Sequence, residues 1–371
     1  MAVTREDRIR RVALGLALSE YPRWAAAVEK AFPCLEKAFT ADLHDLAALG
    51  LDPPRAAALL DPALPARAEK EFDTLTKNGY SLLTFADDDY PVALREIFDP
   101  PAALYCAGRP EALRGPAVAV VGARNPSAYG KSVAERLSED LARRGLVIVS
   151  GMARGIDTSA HTGALRGGRT VAVLGSGLGT IYPPENRRLF DRIVAEGGAV
   201  VTEFPLGGEP LGFHFPLRNR IISGLSLGLV VVEAARRSGS LISAAMALEQ
   251  GREVMAVPGP VTSELSGGAN GLIRIGARLV ESWEDVVDEL PGPIRDAIRV
   301  RSPDEPPPLL PSLTAAEEAV LDGLTPDRAA GVDETAERTG LAVPELLAAL
   351  LGLEIKGLAV QGPGKTYRRR W

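Results

Sequence analysis

Arginines set among glycines and hydroxyls are the side chains of this chain best suited to chemistry, and the chemistry is the holding of phosphates. Gly122, Arg124 and Ser127 lie in VGARNPSAYG; Ser238, Gly239 and Ser240 lie in RRSGSLISAAMAL; Arg218, Asn219 and Arg220 lie in FHFPLRNRIISGLS. A guanidinium presents a planar fork to phosphate oxygens, and a helix that starts at a capping serine offers free amides to an anion. The third segment adds rings, because Phe213, His214 and Phe215 run directly into the arginines. Rings interleaved with guanidinium groups grip single strands, with bases on the rings and phosphates on the charges. The competing reading is packed aromatics with an arginine paired to Glu203 or Glu233, which leaves a structural role open to Arg218 or Arg220.

Other chemistries find less support. Asp157 and His161 stand four apart in SGMARGIDTSAH and would share a helix face. No third ligand accompanies them, so both are expected to be structural at the site, Asp157 as a cap or loop holder and His161 as a hydrogen-bonded packing residue. Cys34 and Cys106 lack metal spacing, and neither a disulfide framework nor a zinc site is expected. GSGLG at Gly175–Gly179 follows a strand, but the first strand of the series ends in Gly122-Ala123-Arg124, so the dinucleotide fingerprint is missing. AVQGPGKT at Ala359–Thr366 has only five residues after it, too few for the helix a phosphate loop needs. No cofactor and no metal are expected.

The loops that carry these residues each follow a short apolar run: 118–121, 146–149, 171–174, 199–201, 228–232, 254–257 and 278–280. Such runs, bounded by turn residues, read as strands of a parallel sheet covered on both faces. Ligands of such sheets bind at the carboxyl edge, where strand order reverses. The fold class is therefore α/β: an extended Rossmann-like parallel sheet domain flanked by a small helical N-terminal domain and a winged-helix-like C-terminal domain. We expect a helical SAM or helix-hairpin-helix-like domain over 1–85, in which LAALGLDPPRAAALL resembles a small helix-turn-helix unit, and the sheet domain over 86–290. A Pro-rich linker over 291–311 and a winged-helix-like domain over 312–371 follow. The third helix of that last domain, VPELLAALLGLEIKG, offers only Lys356, near its end, among the Arg, Lys, Asn or Gln that read base edges, so it suits protein contact.

The net charge of -6 argues against a generally sticky nucleic-acid binder, yet residues 116–283 carry 18 basic and 14 acidic side chains. Positive charge thus collects on the sheet domain. No apolar stretch reaches the roughly 18 residues of a membrane span, the first 20 residues lack a signal-peptide core, and a cytoplasmic location is expected.

VGARNPSAYG, SGMARGIDTSAHTGAL, YPPEN after GSGLGT, TEFP, FPLRNRIISGLS, VVEAARRSGSLISAAMALEQGREVMAVPG and GGANGLIRIGA occur in that order over about 116–278. In order and spacing they resemble the bacterial DprA family, also called Smf. The resemblance implies a protein that binds single-stranded DNA, assembles as a homodimer, and places RecA recombinase on incoming strands during natural transformation, with single-strand-binding protein as a further partner. It also implies a DNA pocket built from Arg124 and from the FPxRNR stretch, here Phe215, Arg218, Asn219 and Arg220. Where family members carry a lysine ahead of that stretch, this chain has Leu211-Gly212-Phe213-His214, and Phe213 or His214 is expected to stand in.

Together these readings give a non-enzymatic single-stranded DNA binder in which Arg124, Arg218 and Arg220 hold phosphates, Phe215 stacks a base, and amides at Gly122, Gly239 and Ser240 complete the cradle. The alternative is a nucleotide-binding hydrolase of the related lysine-decarboxylase-like Rossmann group. Its PGGxGTxxE loop is replaced here by VPGPVTSE, leaving Glu203 and Glu233 as the carboxylates to test.

Overall fold

The computed structural model describes residues 3–18, 20–300, 313–325, 329–356, 358–362 and 364–369. The chain divides into two compact units, Met1–Val286 and Val287–Trp371. Nine strands build the sheet of the first: β1 (Ser81–Thr84), β2 (Ala103–Gly108), β3 (Ala117–Val121), β4 (Val147–Ser150), β5 (Thr170–Val173), β6 (Ala199–Thr202), β7 (Gly228–Val231), β8 (Glu253–Ala256) and β9 (Arg278–Leu279). All seven expected runs are strands, and their ends move by no more than one residue.

Strand order is β1-β2-β6-β5-β4-β3-β7-β8-β9. From β3 the chain steps outward through β4 and β5 to β6, then returns to lay β7 against the other side of β3. Order therefore reverses between β3 and β7, and the helices that follow these two strands leave a crevice at their carboxyl ends. The β1–β2 hairpin closes the β6 edge in antiparallel fashion. It extends the sheet to Ser81, four residues inside the expected helical domain.

Successive residues of a strand point to opposite faces, and both faces of this sheet are covered. Ala117, Ala119 and Val121 face a layer containing Ile221, Ile222, Ala244, Ala247 and Ala269. Tyr105, Ala172 and Val200 face Leu189, Phe190 and Ile193, joined by Val12, Ala13, Leu64, Ala68 and Leu75 from the N-terminal helices. Residues 1–85 thus share a core with the sheet and belong to the same compact unit. Within them, helices Leu43–Ala48 and Pro53–Leu59 form the expected hairpin, turning at Gly50 with φ of 88°.

The second unit holds helices Ala315–Gly323, Val332–Thr339 and Val343–Ile355 and a three-stranded sheet, β10 (Ala330–Gly331), β11 (Ala359–Gly362) and β12 (Thr366–Arg369), the winged-helix arrangement. Thr314 and Glu317 form a reciprocal capping box at its first helix. One expectation is corrected: the linker segment 291–311 opens with a helix, Gly292–Val300, because the Pro291 carbonyl accepts the Ile294 and Arg295 amides and PIRDAIRV then has helical periodicity. The rest of that segment, 301–311, lies outside the described residues.

Helices Ala128–Arg143 and Ile156–Gly167, which follow β3 and β4, meet backbone to backbone. A Cβ at Gly163 would overlap the Glu135 carbonyl oxygen, and one at Gly167 the Glu139 carbonyl oxygen. Gly163→Ala is expected to force the helices apart and cost about 1–3 kcal/mol, the usual scale of overpacking; urea denaturation with an unchanged m-value checks this.

Candidate nucleic-acid interface

At the carboxyl edge between β3 and β7 lies a cavity of about 630 Å³. Its walls include Gly122, Arg124, Asp157, Phe215, Arg218, Asn219, Ser238, Gly239 and Ser240. Four sequence segments that are far apart in the chain thus meet in one place. The reason is topological: each segment leaves the same edge of the sheet, at β3, β4 or β7, or lies in the connection that returns from β6 to β7.

Arg124 is exposed at the rim and has no ion-pair partner among the described residues. Its guanidinium carbon lies 5.5 Å from the Phe215 ring centroid, and Tyr182 tilts against the same ring at 5.7 Å. Arg218 is 4% exposed. Nη1 donates to the Val173 carbonyl at 2.7 Å, whereas Nε is buried without a partner. A Cβ at Gly151 would overlap that Nη1, so only glycine lets the guanidinium lie across the end of β4.

Burial pulls the Arg218 guanidinium down to about 10, Asp157 opposes that shift, and the nearby charge of Arg124 adds to it. Two guanidinium groups that repel each other, one of them out of water, make a place where an anion lowers the energy of both. The helix Gly239–Glu249 supplies donors from the far wall. Ser238 Oγ accepts from the Ser240 amide at 3.3 Å, and a Cβ placed on Gly239 would meet nothing within 4 Å, so the backbone of this helix start is open to a ligand.

Asp157 and His161 are built into the frame. The Asp157 carboxylate accepts from the amides of Gly151 and Ala153 at 3.1 and 3.3 Å, and burial raises its pKa. Asn186 holds the same loop from the other side, donating to the carbonyls of Met152 and Ala153. His161 is fully buried; its Nε2 accepts from the Met152 amide at 3.3 Å, so its Nδ1 carries the proton and donates to Thr170 Oγ1 at 2.7 Å. Burial pulls its pKa down to about 3.

Several expected contacts go elsewhere. Arg220 is buried and makes a bidentate pair with Glu203, at 2.6 and 2.7 Å, while its Nε reaches Asp99 Oδ2 at 3.2 Å. With all three nitrogens engaged and the group buried, Arg220 is not part of the cavity wall. Ser127 caps the helix Ala128–Arg143 and donates its hydroxyl to Glu233 at 2.6 Å, so it too is consumed. His214 is buried, stacked on Phe204 at 4.0 Å and bonded through Nδ1 to the Glu209 carbonyl. It cannot replace a surface lysine. Phe213 is 48% exposed but lies outside the cavity wall.

The sequence reading missed Asn125, Ala153 and Ile242 in the wall, and Tyr182 against Phe215. Adjacency to Arg124 was the available signal for Asn125. Tyr182 gave none, because its loop reaches the site only through the packing of β5.

Removing Arg220 leaves a buried carboxylate without its countercharge. Arg220→Ala is expected to cost about 3–5 kcal/mol of stability, measured by chemical denaturation, and Arg220→Met with Glu203→Leu to recover most of it. For His161, whose neutral form the folded state prefers, the stabilisation is complete above the unfolded pKa near 6.5 and is lost as pH falls toward 3. The stability gap between the parent chain and His161→Gln should therefore shrink between pH 7 and pH 4, as read by urea midpoints at each pH.

Comparison with known proteins follows the same geometry. Residues 81–291 match the family described as DNA recombination-mediator protein A, and residues 304–365 match the DprA winged helix domain. Protein Smf of Escherichia coli is 44% identical over 302 residues, 80% of this chain and 79% of that protein. The DNA processing protein DprA of Streptococcus pneumoniae is 47% identical over 225 residues, covering 60% and 77%. Its solved X-ray structure superposes with a TM-score of 0.66 at 38% identity, over 78% of this chain and 99% of that one. A Helicobacter pylori structure, described as revealing the single-stranded DNA binding mode of DNA processing protein A, superposes with a TM-score of 0.51 at 31% identity, over 56% and 94%. With family matches over both the sheet and the winged helix, and relatives this similar over most of its length, the chain belongs to the DprA family of DNA-processing proteins.

Proposed function

We propose that this chain is a non-enzymatic single-stranded DNA-binding protein that protects incoming strands and loads RecA onto them during natural transformation, acting in the cytoplasm as a homodimer. The observation that carries the reading is the crevice between β3 and β7. It brings an unpaired exposed guanidinium, a buried guanidinium with an unused Nε–H, an aromatic face and a helix amino end around one cavity. Phosphates would lie against Arg124, Arg218 and the Gly239 amide, and a base against Phe215. Asn219 supplies an amide side chain, and nothing in the set selects one base over another. The Helicobacter pylori relative, described by its single-stranded DNA binding mode, supports the same ligand.

Against the hydrolase reading stand the two carboxylates it needs. Glu203 is locked to Arg220 and Glu233 to the Ser127 amide and hydroxyl. A carboxylate so paired is poorly placed to activate water. The RecA and single-strand-binding protein partnerships rest on the family resemblance; RecA-driven strand exchange on oligonucleotides precoated with single-strand-binding protein, with and without this chain, addresses them.

Binding dominated by phosphate contacts depends on salt and is nearly indifferent to sequence. In anisotropy titrations with a labelled oligonucleotide, Arg124→Ala is expected to weaken binding. It should also flatten the slope of log K against log salt by about 0.7, the value for one lost single-strand contact. An unchanged slope removes Arg124 from the site, and equal affinity for duplex DNA of the same length overturns the single-strand reading.

A further inference from the structure

The winged-helix unit carries a surface that the DNA crevice does not explain. On the helix Val343–Ile355, Leu346, Ala349, Leu350 and Leu353 are buried in the unit's own core. The opposite side is apolar as well. Val343, Leu347, Leu351 and Ile355 are 46%, 42%, 57% and 68% exposed. Spaced four apart, they form one straight ridge, and the exposed Ala348 beside them lets another backbone approach. A helix that is apolar all round is normally covered all round.

Electrostatics narrows the occupant. The helix VPELLAALLGLEI contains two charged side chains, Glu345 and Glu354, and no basic residue. Nucleic acid is therefore a poor partner for this face. Glu354 lies near the carboxyl end, where a negative charge is unfavourable to its own helix dipole. At the amino end, no side chain caps the helix after Ala342. An identical helix laid antiparallel across the ridge answers both defects: each Glu354 comes to the uncapped amino end of the other helix, and Leu347 of one copy meets Leu351 of the other. A parallel pair would instead set the two Glu354 carboxylates side by side.

The geometry points to a second copy of this chain as the occupant, the two winged-helix units pairing antiparallel through the Val343–Ile355 ridge. This goes beyond the DNA-binding reading and does not depend on it. The full chain, followed by sedimentation velocity over a range of concentrations, should show an association step that Leu347→Glu combined with Leu351→Glu weakens. The concentration at which half the chains are associated should rise at least about tenfold, whether or not the sheet-bearing unit also pairs. Both side chains are exposed, so the fold should survive, as circular dichroism checks, and oligonucleotide affinity per chain should be unchanged.

Orientation is read by oxidation in a Cys34→Ser background, which removes the exposed thiol. A mixture of Leu347→Cys and Leu351→Cys chains should cross-link to each other in preference to themselves. An unchanged association midpoint in the double Glu variant overturns the proposal. If that variant also becomes protease-sensitive, the face is covered by its own chain, and if a separate cationic helical peptide protects it, by another protein. Cross-linking of each Cys variant with itself overturns the antiparallel arrangement.

Discussion

A guanidinium held out of water without a carboxylate in contact is the constraint on which the rest of the site depends. Arg218 has one donor fixed on the end of β5 and another left unpaired, and Arg124 sits close enough to repel it. Such an arrangement is costly and is tolerated because the surroundings are rigid. Gly151 makes room for the group, Asp157 and Asn186 clamp the loop beneath it, and His161 locks that loop to β5 through Thr170. Polar groups that look catalytic in the sequence are here the carpentry that holds Arg218 in place.

Arg218 and Arg220 make the point sharply, since they stand two residues apart on one helix. A displacement of two residues turns a side chain by about 200° around the axis. One arginine therefore faces the crevice and the other faces Glu203 and Asp99. The paired arginine ties the helix to the end of β6 and to the loop before β2, and this fixes the position of its unpaired neighbour. Two copies of the same residue type are thus placed differently, one paired within the frame and one at the cavity wall.

The winged-helix unit obeys different electrostatics. Where a DNA-reading module would expose basic side chains on its third helix, this one exposes an apolar ridge ending in a glutamate. One unit thus carries an edge lined by guanidinium groups and the other an apolar, acidic helix. Each fits a different kind of partner.

The sequence by itself determined the strands, the two helical extensions and the loops that meet at one edge, because apolar runs ending in glycine, serine and arginine encode strand, turn and helix start locally. Seven strands were legible to within one residue, and so were the loops of Arg124 and Ser238. The β1–β2 hairpin was not, since it belongs to the sheet only through pairing with β6, and the helix at Gly292–Val300 was hidden by the prolines around it. Which charges are free was decided by tertiary structure alone. Arg220, Ser127 and His214 carry the right chemistry in the right segment, but their partners Glu203, Glu233 and Phe204 come from other strands and loops. No local pattern reveals whether a donor will arrive at the binding edge already satisfied, because that depends on what the fold sets opposite it.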